Sequence, residues 1–145
     1  MWIAAQEWGL RRMDRIRLRT MAPHLATGLR GERDALFELR RQGYVVVARR
    51  WTTSRMRGDV DLIAWDGKWL CFVEVKTRST RGITPAETAV DEDKRRMLRG
   101  LARVYLRTFP EPERKTMPVR FDVVSVYPGG GVTEFEIFRA AFGWR

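Results

Sequence analysis

The sequence predicts an α/β protein in which a mixed central β-sheet is flanked by helices. Two kinds of apolar pattern alternate along the chain, one with helical spacing and one in short β-branched and aromatic runs. Two of those runs are apolar on both faces, which indicates a sheet covered from both sides. A length of 145 residues with 44% hydrophobic residues is sufficient for one domain with a buried core. The predicted order of elements is α-β-β-β-α-β-β.

The first helix of the domain is predicted over residues 31–42, and Gly43 is expected to end it. Its apolar stripe consists of Ala35, Leu36 and Leu39. Glu32 falls on the same stripe, so its carboxylate is expected to face the sheet. A five-residue strand, Tyr44–Ala48, follows, and the polar segment 51–58 is expected to be a loop.

A β-hairpin is predicted over residues 59–76, because the dipeptide Asp66-Gly67 is favoured in two-residue type I′ turns. In that register Asp59 lies directly opposite Glu74, and Asp61 is the diagonal neighbour of Glu74. Because side chains alternate along a strand, one face of the hairpin carries four charged side chains. These are Asp59, Asp61, Glu74 and Lys76.

Three carboxylates on one covered face require a compensating charge, since like charges placed opposite each other destabilise a sheet by up to about 1 kcal/mol per pair. A divalent cation supplies that charge, and Lys76 contributes part of it. The single cysteine and the single histidine exclude a cysteine-ligated or multi-histidine metal site. Oxygen ligands favour Mg²⁺ or Mn²⁺ instead. Ordinary surface ion pairs between neighbouring strands are the simpler alternative.

The net charge of +10 and the pI near 10.9 point to a polyanionic partner. Nucleic acid is favoured over an anionic membrane, and DNA is favoured over RNA. Arginines in the segments around the acidic face are expected to bind phosphate groups. They are Arg49, Arg50, Arg55, Arg57, Arg78 and Arg81.

A second helical region is predicted to start at Pro85, with Asp91 as the cap of a further segment that runs to about Arg107. Lys94 interrupts its apolar stripe and points either to the acidic face or to solvent. Residues 110–118 are expected to be a loop. The last two strands are predicted at Val119–Val126 and Thr133–Phe138.

Two further side chains are expected to serve the structure and not the chemistry. Asp122 lies between apolar residues on a central strand, so it is expected to be a hydrogen-bond or ion-pair partner. Cys71 alternates away from the acidic face, so it is expected in the core.

Residues 1–27 are a basic extension, interpreted as a disordered tail or as the product of a start codon placed too early, with Met13 or Met21 as the true start. The extension lacks the apolar region of a secretory signal peptide. Together with the unpaired cysteine, this favours a cytoplasmic protein. No apolar run approaches the ~20 residues that span a bilayer.

Several segments of the chain form an ordered series of motifs: Gly31-Glu32, Gly43-Tyr44, GDVDLIAWDG at 58–67, FVEVKTR at 72–78, Lys94 and RFDVV at 120–124. Together they resemble the YraN-like family of small bacterial proteins. The pattern is similar to that of the PD-(D/E)xK, or restriction-endonuclease-like, superfamily, which includes archaeal Holliday-junction resolvases. The resemblance implies one nuclease-like domain over residues 28–145 with an α-β-β-β-α-β core.

Carried over position by position, the resemblance implies a nuclease active site. The metal ligands would be Asp61, Glu74 and the Val75 carbonyl oxygen, and the catalytic residues Asp61, Glu74, Lys76 and Glu32. Within this set, Lys76 of the E-x-K element would assist the attacking water. The family commonly has glutamate where this chain has Asp59, so the shorter Asp59 is an accessory residue, as is Lys94.

The sequence therefore predicts a metal-dependent nuclease that hydrolyses phosphodiester bonds in DNA, including branched or structured DNA. A non-catalytic nucleic-acid-binding module with the same fold is the alternative, and a module that binds an acidic protein is a third. Resolvase-like enzymes act as dimers because two symmetrical cuts need two sites, so a homodimer is left open.

Overall fold

The structure is built on a five-stranded mixed sheet flanked by helices. This computed structural model describes residues 2–18, 23–78 and 90–145. The helices are α1 (Trp2–Leu18), α2 (Pro23–Arg41), α3 (Glu92–Leu106) and α4 (Glu111–Thr116). The strands are β1 (Val45–Thr53), β2 (Met56–Asp66), β3 (Trp69–Thr77), β4 (Val119–Tyr127) and β5 (Glu134–Phe142). The predicted α/β class is confirmed, and the arrangement is consistent with a restriction-endonuclease-like core.

The sheet has the strand order β1-β2-β3-β4-β5. Neighbouring strands are antiparallel except β3 and β4, which are parallel. A parallel pair needs a crossover connection, and α3 lies between these two strands in the chain. The strands β2 and β3, which carry the predicted acidic residues, are therefore both interior strands.

Two apolar clusters cover the two faces of the sheet. On one face α2 packs through Ala35, Leu36, Phe37 and Leu39. On the other face α3 packs through Leu98, Leu101, Ala102 and Leu106. The apolar stripe predicted on the first helix and the core position of Cys71 are both confirmed. Each fully buried leucine-sized side chain stabilises the fold by about 1.5–3 kcal/mol.

Several elements differ from their predicted bounds. The helix α2 begins at Pro23 and not at residue 31. The strand β1 continues to Thr53, because its backbone pairs with β2 and reduces the predicted loop to the turn at 54–55. The helix α4 occupies part of the predicted loop at 110–118. Asp91 caps α3 as predicted, whereas the predicted helix start at Pro85 lies outside the described residues.

The helix α1 lies against α2 and contacts it through polar side chains. Arg40 donates a 2.6 Å hydrogen bond to Gln6, and Arg41 donates one of 3.1 Å to Glu7. The sequence predicts only a basic extension for this segment. No helix within the described ranges has both the length and the apolar character that crossing a bilayer requires.

The turn of the β2–β3 hairpin comes one residue later than predicted. Asp66 pairs with Trp69, so the turn is formed by Gly67 and Lys68. Only Gly67 has a positive φ there, at 58°, whereas a type I′ turn needs two such residues. Asp66 remains in the strand because its carboxylate accepts a 2.7 Å hydrogen bond from Arg120.

This later turn changes which residues of β2 and β3 face each other. Ile63 pairs with Phe72, which is a shift of two residues from the predicted register. The prediction that Asp59 lies directly opposite Glu74 is therefore wrong. A shift of two keeps each paired side chain on its predicted face. It moves Asp61, and not Asp59, towards Glu74.

A buried network around Asp122 lies on the α2 face of the sheet, opposite the face to which Glu74 points. The Oδ1 atom of Asp122 accepts hydrogen bonds from Arg120 Nε at 2.8 Å and from the Ala140 N–H at 3.0 Å. Its Oδ2 atom accepts from Tyr44 at 3.0 Å and again from Arg120 at 2.8 Å. Arg120 also binds Asp66 of β2. As predicted, Asp122 is a structural partner, and it connects β4 and β5 with the entry to β1.

Asp122→Ala is expected to lower the free energy of unfolding by about 3–5 kcal/mol, because it leaves a partly buried guanidinium and a buried hydroxyl without their main partner. Urea unfolding followed by circular dichroism measures the change. Lys115→Ala is the control, since Lys115 forms only an exposed pair with Glu111, and such pairs contribute about 0.3–0.5 kcal/mol. Equal stability of the two variants would contradict this role for Asp122.

Candidate active site

The strand β2 changes its side-chain alternation beside its acidic residues. Val60 belongs to the apolar cluster that contains α3, whereas Leu62 belongs to the cluster that contains α2. Regular alternation would place these two residues on one face, so the alternation is interrupted between them. The continuous β2–β3 pairing ends at Leu62 and Val73, so Asp61 is the first residue beyond the regular ladder.

The Asp61 carboxylate binds the backbone of β3 at this break. Its Oδ2 atom accepts a 2.8 Å hydrogen bond from the Val75 N–H. This bond holds the carboxylate beside Glu74, the residue that precedes Val75. Both acids are buried, with 7% of Asp61 and 3% of Glu74 exposed. Two carboxylates from adjacent strands therefore lie together, largely shielded from solvent.

Two lysines from different elements flank Glu74. The Nζ atom of Lys76 in β3 lies 3.5 Å from Oε1 of Glu74. The Nζ atom of Lys94 in α3 lies 3.6 Å from Oε2, so Lys94 points to the acidic face, one of its two predicted orientations. The buried Oε2 atom receives no hydrogen bond from the described residues. Glu74 is therefore compensated in charge but not fully in hydrogen bonding.

Burial is the main reason that the pKa of each buried carboxyl is raised. For Asp61, burial and the negative charge of Glu74 raise the pKa to about 7, although the Val75 hydrogen bond lowers it. Burial also raises the pKa of Glu74, opposed first by Lys94 and then by Lys76. When no cation is bound, the pair therefore retains a proton at higher pH than an exposed pair of carboxyls.

Two glycines let the helices approach the sheet near these acids. A Cβ atom at Gly31 of α2 would overlap the Thr77 side chain of β3. A Cβ atom at Gly58 of β2 would overlap Met97 of α3, and Gly58 also has a φ of 95°. Each approach brings a charged residue close to the acids. Glu32 follows Gly31 in α2, and Lys94 lies one turn before Met97 in α3.

Glu32 lies near the acid pair, but an arginine binds its carboxylate. Arg50 Nε donates a 3.0 Å hydrogen bond to Glu32 Oε2. Burial is the main cause that raises the pKa of Glu32, and the charge of Asp61 and, more weakly, that of Asp59 raise it further. The structure therefore places Glu32 and Asp59 within electrostatic range of the acid pair, with Glu32 held in an ion pair.

The acid pair has the chemistry of a partial site for a hard divalent cation. Carboxylate oxygens are the ligands that Mg²⁺ and Mn²⁺ prefer. A cation would relieve the repulsion between Asp61 and Glu74 and would give the buried Oε2 atom a partner. Across residues 2–18, 23–78 and 90–145, no three Asp, Glu, His or Cys side chains gather as a metal-ligand group. The protein thus offers two carboxylates, and Mg²⁺ usually retains several waters beside so few. The ligand role of the Val75 carbonyl stays a prediction.

Five of the six predicted phosphate-binding arginines lie in the described residues, close in the chain to the acid pair. They are Arg49 and Arg50 in β1, Arg55 and Arg57 at the β1–β2 turn, and Arg78 directly after β3. Arg55 and Arg57 are exposed, whereas Arg50 forms an ion pair with Glu32. Arg81 lies outside the described residues. Their role in binding phosphate stays a prediction.

Two features of the site escape sequence analysis. One is the hydrogen bond from the Val75 N–H to Asp61, and the other is the ion pair between Arg50 and Glu32. Both depend on how strands and helices approach each other, which side-chain periodicity does not encode. Gly31 is the sequence feature that could have indicated this packing, since a glycine within a helical pattern often marks the close approach of another element.

Comparison with known proteins gives a consistent family match. Residues 31–126 match the family described as "Uncharacterised protein family UPF0102". A UPF0102 protein of Koribacter versatilis (strain Ellin345) is 49% identical over 119 residues, which cover 82% of this chain and 80% of that protein. One of Solibacter usitatus (strain Ellin6076) is 46% identical over 116 residues, covering 80% and 84%. One of Rhodococcus opacus (strain B4) is 45% identical over 124 residues, covering 84% and 100%.

In the absence of divalent metal, the protein is expected to be more stable near pH 5 than near pH 8. Folding raises the pKa of Asp61 from 3.8 to about 7, so between these values the folded state binds more protons than the unfolded state. The free energy of unfolding therefore falls as the pH rises through this window. Thermal unfolding in EDTA is expected to show a loss on the order of 5 °C in Tm between the two pH values.

Asp61→Asn is expected to remove most of this pH dependence, because the amide does not titrate. Asp93→Asn is the matched control, since Asp93 is an exposed acid at the start of α3. It should keep the wild-type pH profile. A wild-type protein with equal Tm at both pH values, or an unchanged profile in Asp61→Asn, would contradict the raised pKa.

Proposed function

This chain belongs to the Uncharacterised protein family UPF0102, and we propose that it is a divalent-metal-dependent nuclease. The family match confirms the resemblance to the YraN-like family that the sequence motifs indicate. The proposed reaction is hydrolysis of a phosphodiester bond in DNA, including branched or structured DNA. The observation that carries the proposal is the buried pair Asp61 and Glu74, with the ammonium groups of Lys76 and Lys94 at 3.5 and 3.6 Å from Glu74.

Asp61 and Glu74 are the residues that would hold the metal ion. Bound Mg²⁺ or Mn²⁺ supplies Lewis-acid stabilisation of a phosphodiester and lowers the pKa of a coordinated water. The Val75 N–H orients Asp61 for this role and engages only one of its two carboxylate oxygens. The raised pKa values of both acids support the same role, because perturbed carboxyls concentrate at functional sites.

Lys76 is the residue best placed to act on the water and the phosphate. Its side chain is 36% exposed while its Nζ atom contacts Glu74, so the ammonium lies between the acid pair and solvent. From this position it can orient an attacking water and stabilise negative charge that develops on the phosphoryl oxygens. Lys94 is less exposed, and its positive charge opposes the rise in the pKa of Glu74 that burial causes, which favours the ionised form of a ligand carboxylate.

The charge of the chain supports a nucleic-acid substrate. A net charge of +10 attracts a polyanion and raises its local concentration. The exposed Arg55 and Arg57 lie on β2 or its preceding turn, within a few residues of Asp61. A phosphodiester backbone bound there would pass close to the acid pair. This electrostatic attraction is expected to weaken as the salt concentration rises.

Asp61→Asn and Lys76→Ala are each expected to lower the rate of DNA cleavage by at least about 100-fold, because one removes a ligand charge and the other removes the ammonium donor. The substrates are single-stranded, nicked and four-way branched DNA of related sequence. Each is incubated with Mg²⁺ or Mn²⁺, and the products are resolved on denaturing gels.

Asp93→Asn is the matched control and is expected to cleave at the wild-type rate, since this exposed acid precedes Lys94 without belonging to the pair. Circular dichroism shows whether each variant is folded. Full cleavage by both Asp61→Asn and Lys76→Ala would exclude the proposed site. If the wild-type protein binds DNA in a salt-dependent manner and cleaves none of the substrates, the non-catalytic module is favoured. In that case the two lysines alone compensate Glu74.

A further inference from the structure

The outer face of α3 carries a row of arginines that the proposed active site does not use. Arg96, Arg103 and Arg107 recur with spacings of seven and four residues, which places them on one side of a helix. All three are exposed, whereas Leu98 and Leu101 on the other side are buried. The row spans about 17 Å along the helix axis, at a rise of about 1.5 Å per residue.

The row ends at a cavity built from three separate parts of the chain. The cavity has a volume of about 400 Å³ and is lined by Arg103, Leu106, Arg107, Arg114 and Trp144. These residues come from the end of α3, from α4 and from the segment that follows β5. The volume lies in the range of pockets that bind small molecules, roughly 300–1,000 Å³.

The cavity combines uncompensated positive charge with an accessible aromatic ring. Among the described residues, no carboxylate pairs with Arg103, Arg107 or Arg114. Trp144 is 37% exposed, and its ring meets Phe121 edge-on with 5.0 Å between the ring centroids. Arg103 lies 5.1 Å from the centre of the Trp144 ring. Cations near a helix C-terminus complement the helix dipole, and Arg103, Arg107 and Arg114 all lie at such ends, but this does not account for the exposed indole beside them.

A nucleotide with an unpaired base matches these groups. Its phosphate would bind the guanidinium groups, none of which pairs with a carboxylate among the described residues. Its planar base would contact the indole of Trp144 and the apolar wall at Leu106, as bases do on aromatic side chains in single-strand-binding proteins. A base inside a duplex is stacked on its neighbours and does not present its face to a protein. The cavity therefore favours single-stranded nucleic acid over a paired duplex.

We propose that the arginine row (Arg96, Arg103 and Arg107) and the cavity bind a single-stranded segment of nucleic acid, with one unpaired nucleotide held by Arg103, Arg114 and Trp144. The proposal rests on the proposed function and adds a substrate class to it, DNA with a single-stranded arm. Arg96 is two residues after Lys94, so it lies at the same end of α3 as Lys94 but on the opposite side of the helix. A nucleic-acid strand that leaves the acid pair would pass round this end of α3 and then follow its outer face to the cavity.

Binding of short labelled oligonucleotides is measured by fluorescence anisotropy in EDTA, so that the result does not depend on cleavage. Trp144→Ala is expected to raise the Kd for a single strand by about fivefold or more, the effect of losing one stacked base. The Kd for a duplex of the same length should not change. Trp69→Ala is the matched control, because Trp69 is exposed to 36%, nearly the same extent, and does not line the cavity.

A second pair of variants avoids the contact between Trp144 and the core. Arg103→Glu and Lys115→Glu change the net charge equally, and Lys115 lies in α4 next to Arg114 without lining the cavity. Arg103→Glu is expected to raise the single-strand Kd by about tenfold and to reduce the salt slope by about 0.7, the value for one phosphate contact. Lys115→Glu is expected to retain the wild-type slope.

Unchanged single-strand affinity in both Trp144→Ala and Arg103→Glu would overturn the inference. An equal loss in each control, or an equal loss for the duplex, would overturn it as well. In any of these cases the proposed function stands if metal-dependent cleavage still requires Asp61. A selective loss of single-strand binding, in a protein that cleaves none of the substrates, would support the inference and remove only the nuclease proposal.

Discussion

Two carboxylates buried side by side repel each other, and the surrounding structure is arranged to offset that repulsion. Asp61 lies beyond the regular β2–β3 pairing, and its carboxylate accepts a hydrogen bond from the Val75 N–H of β3. Glu74 receives one ammonium from its own strand and one from α3 on the face above it. Without these compensations, desolvation of the two acids would cost several kcal/mol. The close approaches of α2 to the sheet at Gly31 and of α3 to β2 at Gly58 bring further charges to this end of the sheet.

The described residues include a third buried acid, Asp122, and its comparison with Glu74 is informative. Asp122 accepts four hydrogen bonds, which satisfy both of its oxygens, and it joins strands that are distant in sequence. Glu74 is similarly inaccessible but has one oxygen that receives no hydrogen bond from the part of the chain that the structure describes. A fully satisfied buried acid strengthens a fold, whereas an incompletely satisfied one retains the capacity to bind something else. This contrast distinguishes the Asp122 network from the candidate site more clearly than burial alone does.

The sequence predicts the class of the fold, the order of its core elements and the face that carries the acids, because these depend on apolar periodicity. It does not predict the register of the hairpin. Asp66-Gly67 is a strong turn signal, yet the ion pair between Asp66 and Arg120 keeps Asp66 in the strand. Arg120 is far away in the chain, and no local pattern reports such a contact. The same limit applies to Arg50 and Glu32, which meet only through the packing of α2 on the sheet.

The parallel pairing of β3 with β4 has a consequence for the order in which the chain folds. The β2–β3 hairpin is a local structure, whereas α3 can dock only after a long crossover is closed. We therefore expect Asp61 and Glu74 to be brought together before Lys94 arrives from α3. The early hairpin must form against the repulsion of two like charges, with only Lys76 nearby to oppose it. Protons or cations in the medium at that moment would act on the barrier to folding, and not only on the finished site.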